Sequence, residues 1–328
     1  MYKFLIVLFG FFIGVILRLR FKEFNYFSGE AMGFSNGQRT IRKALERQGV
    51  DIVYESDVEL QHVSPHIYHK NCKKSFIMPT HEANAIHPLL IKKMNESDEV
   101  IALCEHNKKV FTDNGLKKPI HVCKQGIDLN IFKYNEKVRN GKLNFLWIGQ
   151  TSIRKGWDIV INTFTKAFGS MKDVSLYMKT SGAGKQEINK LTDNIIFDSR
   201  RLSLADMIDL YTNAHIFIFP SRGEATGLPA LEAMASGLIC MAPAIGGMKE
   251  FIDEDNAIKL EYKNVPADYG VKTVCPNVIA EDLIEKLRYV YDFYDEIKSN
   301  TKAVRGFIER NYCVNLMAKK LIRILFGG

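Results

Sequence analysis

The sequence predicts an α/β fold of two doubly wound domains in tandem, on three observations. Short apolar runs alternate with amphipathic helical patterns along most of the chain. The alternation breaks once, at the polar stretch KYNEKVRNGK (residues 133–142), which reads as an interdomain linker. The length, 328 residues, fits two domains at about 150 residues each. Two such domains imply a ligand cleft between them, at the carboxyl ends of their strands. The expected boundaries are an apolar segment at 1–20, an N-terminal domain at 21–135 and a C-terminal domain at 136–328. The last helix is expected to cross back to the N-terminal domain.

In the first half, residues 24–27 read as a short strand, and Gly29, Gly33 and Gly37 as a permissive loop. A helix then carries Ile41, Ala44 and Leu45 at i, i+3 and i+4, stops at Gly49, and gives way to the strand DIVYE. Strands follow at VELQHV, SFIMPT, EVIALC and HVCKQG, with helices at about 88–96 and 106–114. In the second half the strands are LNFLWIG, SLYMKTSG, IIFDSR, HIFIF and LICMAP. The helices fall at 158–168, 204–213, 228–236, 279–297 and 302–324.

Residues 4–17, FLIVLFGFFIGVIL, are apolar throughout and are flanked by Lys3, Arg18, Arg20 and Lys22. A spanning helix needs ~20 such residues, and no small-residue cleavage site follows. The segment is either a membrane anchor or the first buried strand. The complete unit starting at residue 24 favours the anchor, which would place the domains on the cytoplasmic face of a membrane.

Composition is ordinary for a globular chain, with 46% hydrophobic and 25% charged residues. The six cysteines form no CxxC pair, which excludes a disulfide framework or zinc knuckle and fits reduced thiols in the cytoplasm. Net charge is +8, and residues 1–140 carry 21 Lys/Arg against 15 Asp/Glu. The basic residues are interleaved with acids and with no stacking aromatics, so no nucleic-acid partner is expected. His62, His66 and His69 match no familiar ligand spacing, and no metal is expected.

The chemistry concentrates in FPSRGEATGLPALEAMASG, residues 219–237. HIFIF is a buried strand, so the loop after it stands at a carboxyl end. Pro229 suits a helix start, where its missing N–H is no loss. The backbone N–H groups of Thr226, Gly227 and Leu228, with the positive helix end behind them, make an anion site. Glu224 precedes the helix and Glu232 lies one turn inside it. Carboxylates beside an anion site accept hydrogen bonds from hydroxyls. A diphosphate flanked by two polyols, as in a nucleotide sugar, satisfies both features. Taken alone, E-x7-E reads more simply as two solvated glutamates at a helix mouth.

The wider context points the other way. The run from Glu224 to Gly237 resembles the E-x7-E segment of the retaining glycosyltransferases of family 4, which have the GT-B fold. HVCKQGIDLNIF, FLWIGQTSIRKGWDIVINTF, DMIDLYTNAHIFIFPS and GGMKEFI resemble that family's other segments in order. The likeness is close over 121–253 and weaker over 24–120. It implies two Rossmann-like domains and metal-independent transfer of a hexosyl group from a nucleotide-diphosphate sugar, with no other cofactor. The acceptor would be a carbohydrate or a lipid-linked molecule, with membrane association following if residues 4–17 are an anchor.

By that resemblance Glu232 holds the ribose hydroxyls and Glu224 the donor sugar, near the amides of Thr226, Gly227 and Leu228. Lys155, assisted by Arg154, neutralises the departing diphosphate, and His81 stands near the reacting carbon. Gly33 and Gly37 belong to a loop against the diphosphate. The family's G-R dipeptide is here Gly149-Gln150, which removes one cation from the clamp. Asp253 and Asp255 read as solvating a polar turn. Two enzyme alternatives, a GT-B phosphorylase and a nucleotide-sugar epimerase, fit the segment less closely. An alternative outside enzymes is a non-catalytic nucleotide-sugar-binding subunit, motivated by Gln150.

Overall fold

The computed structural model describes residues 3–8, 32–52, 58–62, 64–65, 68–70, 72–180 and 192–327. They form two compact units, one of residues 1–128, 269–271 and 312–328, the other of residues 129–268 and 272–311.

The first unit is a six-stranded parallel sheet in the order β2-β1-β3-β4-β5-β6. Its strands are β1 (Lys3–Leu8), β2 (Asp51–Ile52), β3 (Val58–His62), β4 (Lys74–Ile77), β5 (Glu99–Ala102) and β6 (Ile120–Val122). The helices α1 (Met32–Arg47), α2 (Pro88–Met94) and α3 (Glu105–Asp113) connect them. Tyr68, Ile77, Met94, Val100, Ala102 and Phe111 form the buried core. Two caps set helix starts: the His87 ring accepts from the Leu89 amide, and the Cys104 sulfur accepts from the Asn107 amide.

Two expectations change here. Lys3–Leu8 pairs in parallel with both β2 and β3, so the start of the apolar stretch is a sheet strand, not part of a spanning helix. An apolar run buried on both faces of a parallel sheet has the same composition as a membrane segment, and length alone separates them. No helix among the described residues is long and apolar enough to cross a membrane. Gly33 and Gly37, expected in a loop, lie in the first turns of α1. No proline interrupts residues 32–47, and two glycines cost a helix about 1 kcal/mol each. The packing of Ile41, Ala44 and Leu45, all buried, carries the helix through them. The strand expected at 24–27, Gly29 and His66 lie outside the described residues.

The second unit holds a parallel sheet in the order β12-β11-β10-β7-β8-β9. The strands are β7 (Leu143–Gly149), β8 (Val174–Thr180), β9 (Ile195–Asp198), β10 (Ile216–Ile218), β11 (Ile239–Ala242) and β12 (Ile258–Lys259). Around it run α4 (Trp157–Phe168), α5 (Leu204–Asn213), α6 (Leu228–Ala235), α7 (Ala280–Asp292), α8 (Tyr294–Lys298) and α9 (Thr301–Tyr312). Phe145, Trp147, Val160, Phe164, Leu176, Met178, Ile216 and Ile218 fill the core with Leu283 and Leu287 of α7. A full capping box, Ser203 with Asp206, starts α5.

An antiparallel hairpin, β13 (Tyr262–Asp268) with β14 (Lys272–Val278), was not anticipated. Its signal is present in the sequence: residues 262–278 alternate, with Tyr269-Gly270 at the turn and Gly270 at φ 78°. The helix expected at 302–324 is two helices, α9 and α10 (Val314–Phe326). The break falls where Val314 donates its amide to Ile127 and a Cβ on Gly126 would lie 2.7 Å from the Val314 Cα.

Candidate active site

The site is assembled in the second unit, from the loops after β7 and β10. After β7 the chain makes a single 3-10 turn, Ile153–Lys155, and enters α4 through Gly156 at φ 70°. That glycine is required: a Cβ there would sit 2.3 Å from the Pro220 carbonyl oxygen. The close approach lays the Arg154-Lys155 turn against the loop after β10. Arg222 locks the two together, donating bidentately to Asp158 at 2.9 Å from each nitrogen and to Asn277 at 2.8 Å. The buried Trp147 indole donates to the Lys155 carbonyl at 3.2 Å.

Glu224 is the focus of this arrangement. Its Oε1 accepts from Lys155 Nζ at 2.5 Å and from Ser221 Oγ at 2.7 Å, with Arg154 at 3.5 Å. Arg154 also donates to the Gly223 carbonyl at 2.6 Å. The side chain of Glu224 is only 7% exposed and that of Lys155 only 14%, so the pair is largely out of water. Gly246 and Gly247 press against the backbone of Glu224 and Ala225, where a Cβ would fall about 2 Å from a carbonyl oxygen. The carboxylate is therefore held by its backbone as well as by its partners. Three residues after Glu224, Gly227 at φ 84° opens α6 with no side-chain cap, and Pro229 sits in the first turn.

Glu232 has different surroundings. Its Oε2 accepts from the Tyr211 hydroxyl at 2.7 Å. Burial pushes its carboxyl up to about 7, against the opposing pull of the Tyr211 hydrogen bond. Burial also holds the Tyr211 phenol well above its ordinary range. The other end of α6 is fixed by Arg305 of α9, which donates to the carbonyls of Ala235 at 2.8 Å and Phe132 at 2.5 Å.

His81 belongs to the first unit, in the loop after β4. Its Nε2 donates to the Ala85 carbonyl at 3.0 Å, its ring packs on Phe111, and the Asn107 amide holds its carbonyl at 2.8 Å. Burial lowers its pKa, so the ring is neutral at pH 7. Among the described residues no group of His, Cys, Asp and Glu could hold a metal ion. His62 is buried, and its imidazole is pushed down to about 4 by that burial. No disulfide joins any of the six cysteines.

Residues 142–274 match the family described as glycosyl transferases group 1. An uncharacterized glycosyltransferase of Methanocaldococcus jannaschii is 24% identical over 257 residues, covering 72% of this chain and 68% of that one. Mannosylfructose-phosphate synthase of Agrobacterium fabrum is 28% identical over 187 residues, and there the match covers 49% of this chain but only 40% of the synthase. Over its second half the chain is similar to the group 1 glycosyltransferases. HepE of Anabaena, solved with UDP and glucose, superposes with a TM-score of 0.65 at 14% identity, over 88% of this chain and 80% of that one. That likeness establishes the fold alone: GT-B, with two Rossmann-like units.

The sequence reading named Glu224, Lys155 and Arg154 separately, and the structure joins them through one carboxylate oxygen. It does not join Glu232 to them by any hydrogen bond. Four participants, Ser221, Tyr211, Arg222 and Asp158, escaped the reading. Ser221 reaches Glu224, and Tyr211 reaches Glu232, through side-chain contacts that no local pattern signals. Arg222 and Asp158 are far apart in sequence, and nothing local in either signals their pairing. Gln150 is exposed, beside Gly149 at the end of β7.

Proposed function

We propose that this protein is a retaining transferase that moves a hexosyl group from a nucleotide-diphosphate sugar to a carbohydrate or lipid-linked acceptor, without a metal ion. The observation that carries the reading is the Lys155–Glu224–Arg154 cluster, built from the loops after β7 and β10. Two cations at one buried carboxylate are an economical way to store positive charge until a diphosphate arrives. The bond that breaks is that between the anomeric carbon and the diphosphate oxygen, so negative charge grows on the leaving group. Lys155 and Arg154 stabilise that charge, with the uncapped start of α6 at Thr226, Gly227 and Leu228 contributing its dipole. Glu224 accepts from donor-sugar hydroxyls as its cations turn toward the phosphates, and Glu232 accepts from the ribose hydroxyls. The co-crystallised UDP and glucose of HepE support a UDP-sugar as the first donor to try.

The experiment is a thermal-shift screen of nucleotide sugars, followed by incubation of the binder with candidate acceptors and NMR of the product's anomeric configuration. Retention of the donor configuration is expected, and an inverted product overturns the mechanism. A second reading, a non-catalytic binding subunit, rests on Gln150. It predicts nucleotide-sugar binding with neither transfer nor slow hydrolysis. Hydrolysis by the wild type that Glu224→Ala abolishes excludes it.

A further inference from the structure

One helix face in the first unit plays no part in the donor site. Leu316, Lys319, Lys320, Arg323 and Ile324 of α10 line an open groove together with His121 of β6 and Gly327. Their spacing of i, i+3, i+4, i+7 and i+8 sets the five α10 residues on one stripe. The buried Val314, Met317, Ala318, Leu321 and Leu325 form the opposite stripe.

Two features separate this stripe from an ordinary solvated helix face. First, α10 contains no Asp or Glu, so none of its three cations has an acidic neighbour on its own helix. Other exposed helices do provide one, as in Lys109–Asp113, Lys286–Asp282 and Arg305–Glu309. The acid adjoining the groove, Glu99, is already held by His121 and Lys74. Second, aliphatic side chains interleave the cations, and Leu316 is 43% exposed. Cations alone would suit any polyanion. An exposed leucine beside a half-buried isoleucine on the same stripe gains free energy only where hydrocarbon is at hand.

We propose that the α10 stripe docks the protein on an anionic lipid bilayer. Lys319, Lys320 and Arg323 lie at the level of the lipid phosphates, and Leu316 and Ile324 enter the acyl boundary. The inference stands apart from residues 4–17 and from the donor-site reading, since none of these side chains belongs to either.

The test is co-sedimentation of the full chain with vesicles of phosphatidylcholine, with or without phosphatidylglycerol. Each cation near an anionic surface contributes roughly a factor of five, so the anionic vesicles are expected to bind on the order of 100-fold more tightly, and added salt to release the protein. Lys319→Gln/Lys320→Gln/Arg323→Gln is expected to abolish the preference, and Leu316→Ser/Ile324→Ser to weaken binding to the same vesicles. Both variants keep residues 1–20, so loss of binding assigns the contact to α10. The substituted side chains face outward, so an unchanged circular dichroism spectrum and melting temperature are expected. The wild-type salt dependence decides independently of either variant. Equal binding to both vesicle types, or retention by the triple variant, overturns the proposal. So does heparin capture that Leu316→Ser/Ile324→Ser leaves intact, because that result describes a site for a soluble polyanion.

Discussion

Lys155 and Glu224, separated by sixty-nine positions in the chain, meet at 2.5 Å with both side chains nearly enclosed. A buried pair of this kind makes a poor net contribution to stability compared with an apolar pair, because both charges were taken out of water. Breaking it from one side is a different matter, because the survivor keeps its desolvation cost and loses its partner.

Lys155→Met is therefore expected to destabilise the ligand-free protein by about 3 kcal/mol, while Lys155→Met/Glu224→Gln recovers a large part of that loss. Urea unfolding of the two single variants and the double variant measures the coupling. A coupling near zero means the ion pair does not persist in solution. The same lysine acts on charge that grows in the transition state, so Lys155→Ala is expected to lower kcat more than it raises KM. A variant with normal kcat and a raised KM would assign Lys155 to ground-state binding.

Gly156→Ala tests the loop contact. The residue sits at φ 70°, and its new Cβ would lie 2.3 Å from the Pro220 carbonyl oxygen. Positive-φ strain and the clash together are expected to exceed about 2 kcal/mol and to move the Arg154-Lys155 turn. Activity should fall further than that of Gly169→Ala, which is also at positive φ but has open space around it. Equal losses for the two would show that conformational strain alone, and not the contact with Pro220, sets the cost.

Arg305→Met removes the donors at the carboxyl end of α6, where the guanidinium serves Ala235 and Phe132 and comes within 3.5 Å of the Leu129 carbonyl. Buried carbonyls left without donors cost about 1–3 kcal/mol. Hydrogen exchange is expected to quicken in residues 129–135 and at the end of α6, ahead of the strands. Uniform quickening throughout the unit would mean that Arg305 supports the whole fold.

The strands and helices that were legible in the sequence are those whose burial is continuous, such as LNFLWIG and HIFIF, because a parallel strand covered on both faces has no polar alternation to confuse it. The loop carrying Glu224 and the start of α6 were legible because loop glycines and a helix-start proline mark a strand end, whereas Lys155 was picked out only by the family resemblance. Lys3–Leu8 was misread because composition does not distinguish a buried strand from the first part of an apolar span. Gly33 and Gly37 were misread because glycine lowers helix propensity without forbidding the helix. Tyr211 and Arg222 were missed for another reason: their partners lie 21 and 64 residues away, and only the fold brings them together.

Glu232 gives the prediction whose sign is least intuitive. Its folded pKa, about 7, stands above the ordinary value of 4.5, so the folded chain binds this proton more tightly than the unfolded chain does. The contribution to stability is then fully present below pH 4.5 and is lost as pH rises through about 7. Glu232→Gln removes the ionisable group and keeps an acceptor for Tyr211. It is expected to be more stable than the wild type by up to about 3 kcal/mol near pH 8, and no more stable near pH 4. Binding should move the opposite way. If the ionised carboxyl accepts from ribose hydroxyls, Glu232→Gln weakens nucleotide-sugar binding by about 2 kcal/mol at the higher pH. Wild-type affinity should also fall as pH drops through about 7, and the variant's should not. An intact nucleotide-diphosphate sugar is the right probe, because it lacks the terminal phosphate ionisation near pH 6 that would mimic the effect. Calorimetry across that range, beside melting curves of both proteins, reads the two signs together. A wild-type affinity that is flat through pH 7, with Glu232→Gln binding equally well, would remove Glu232 from the ribose and leave it as a buried partner of Tyr211.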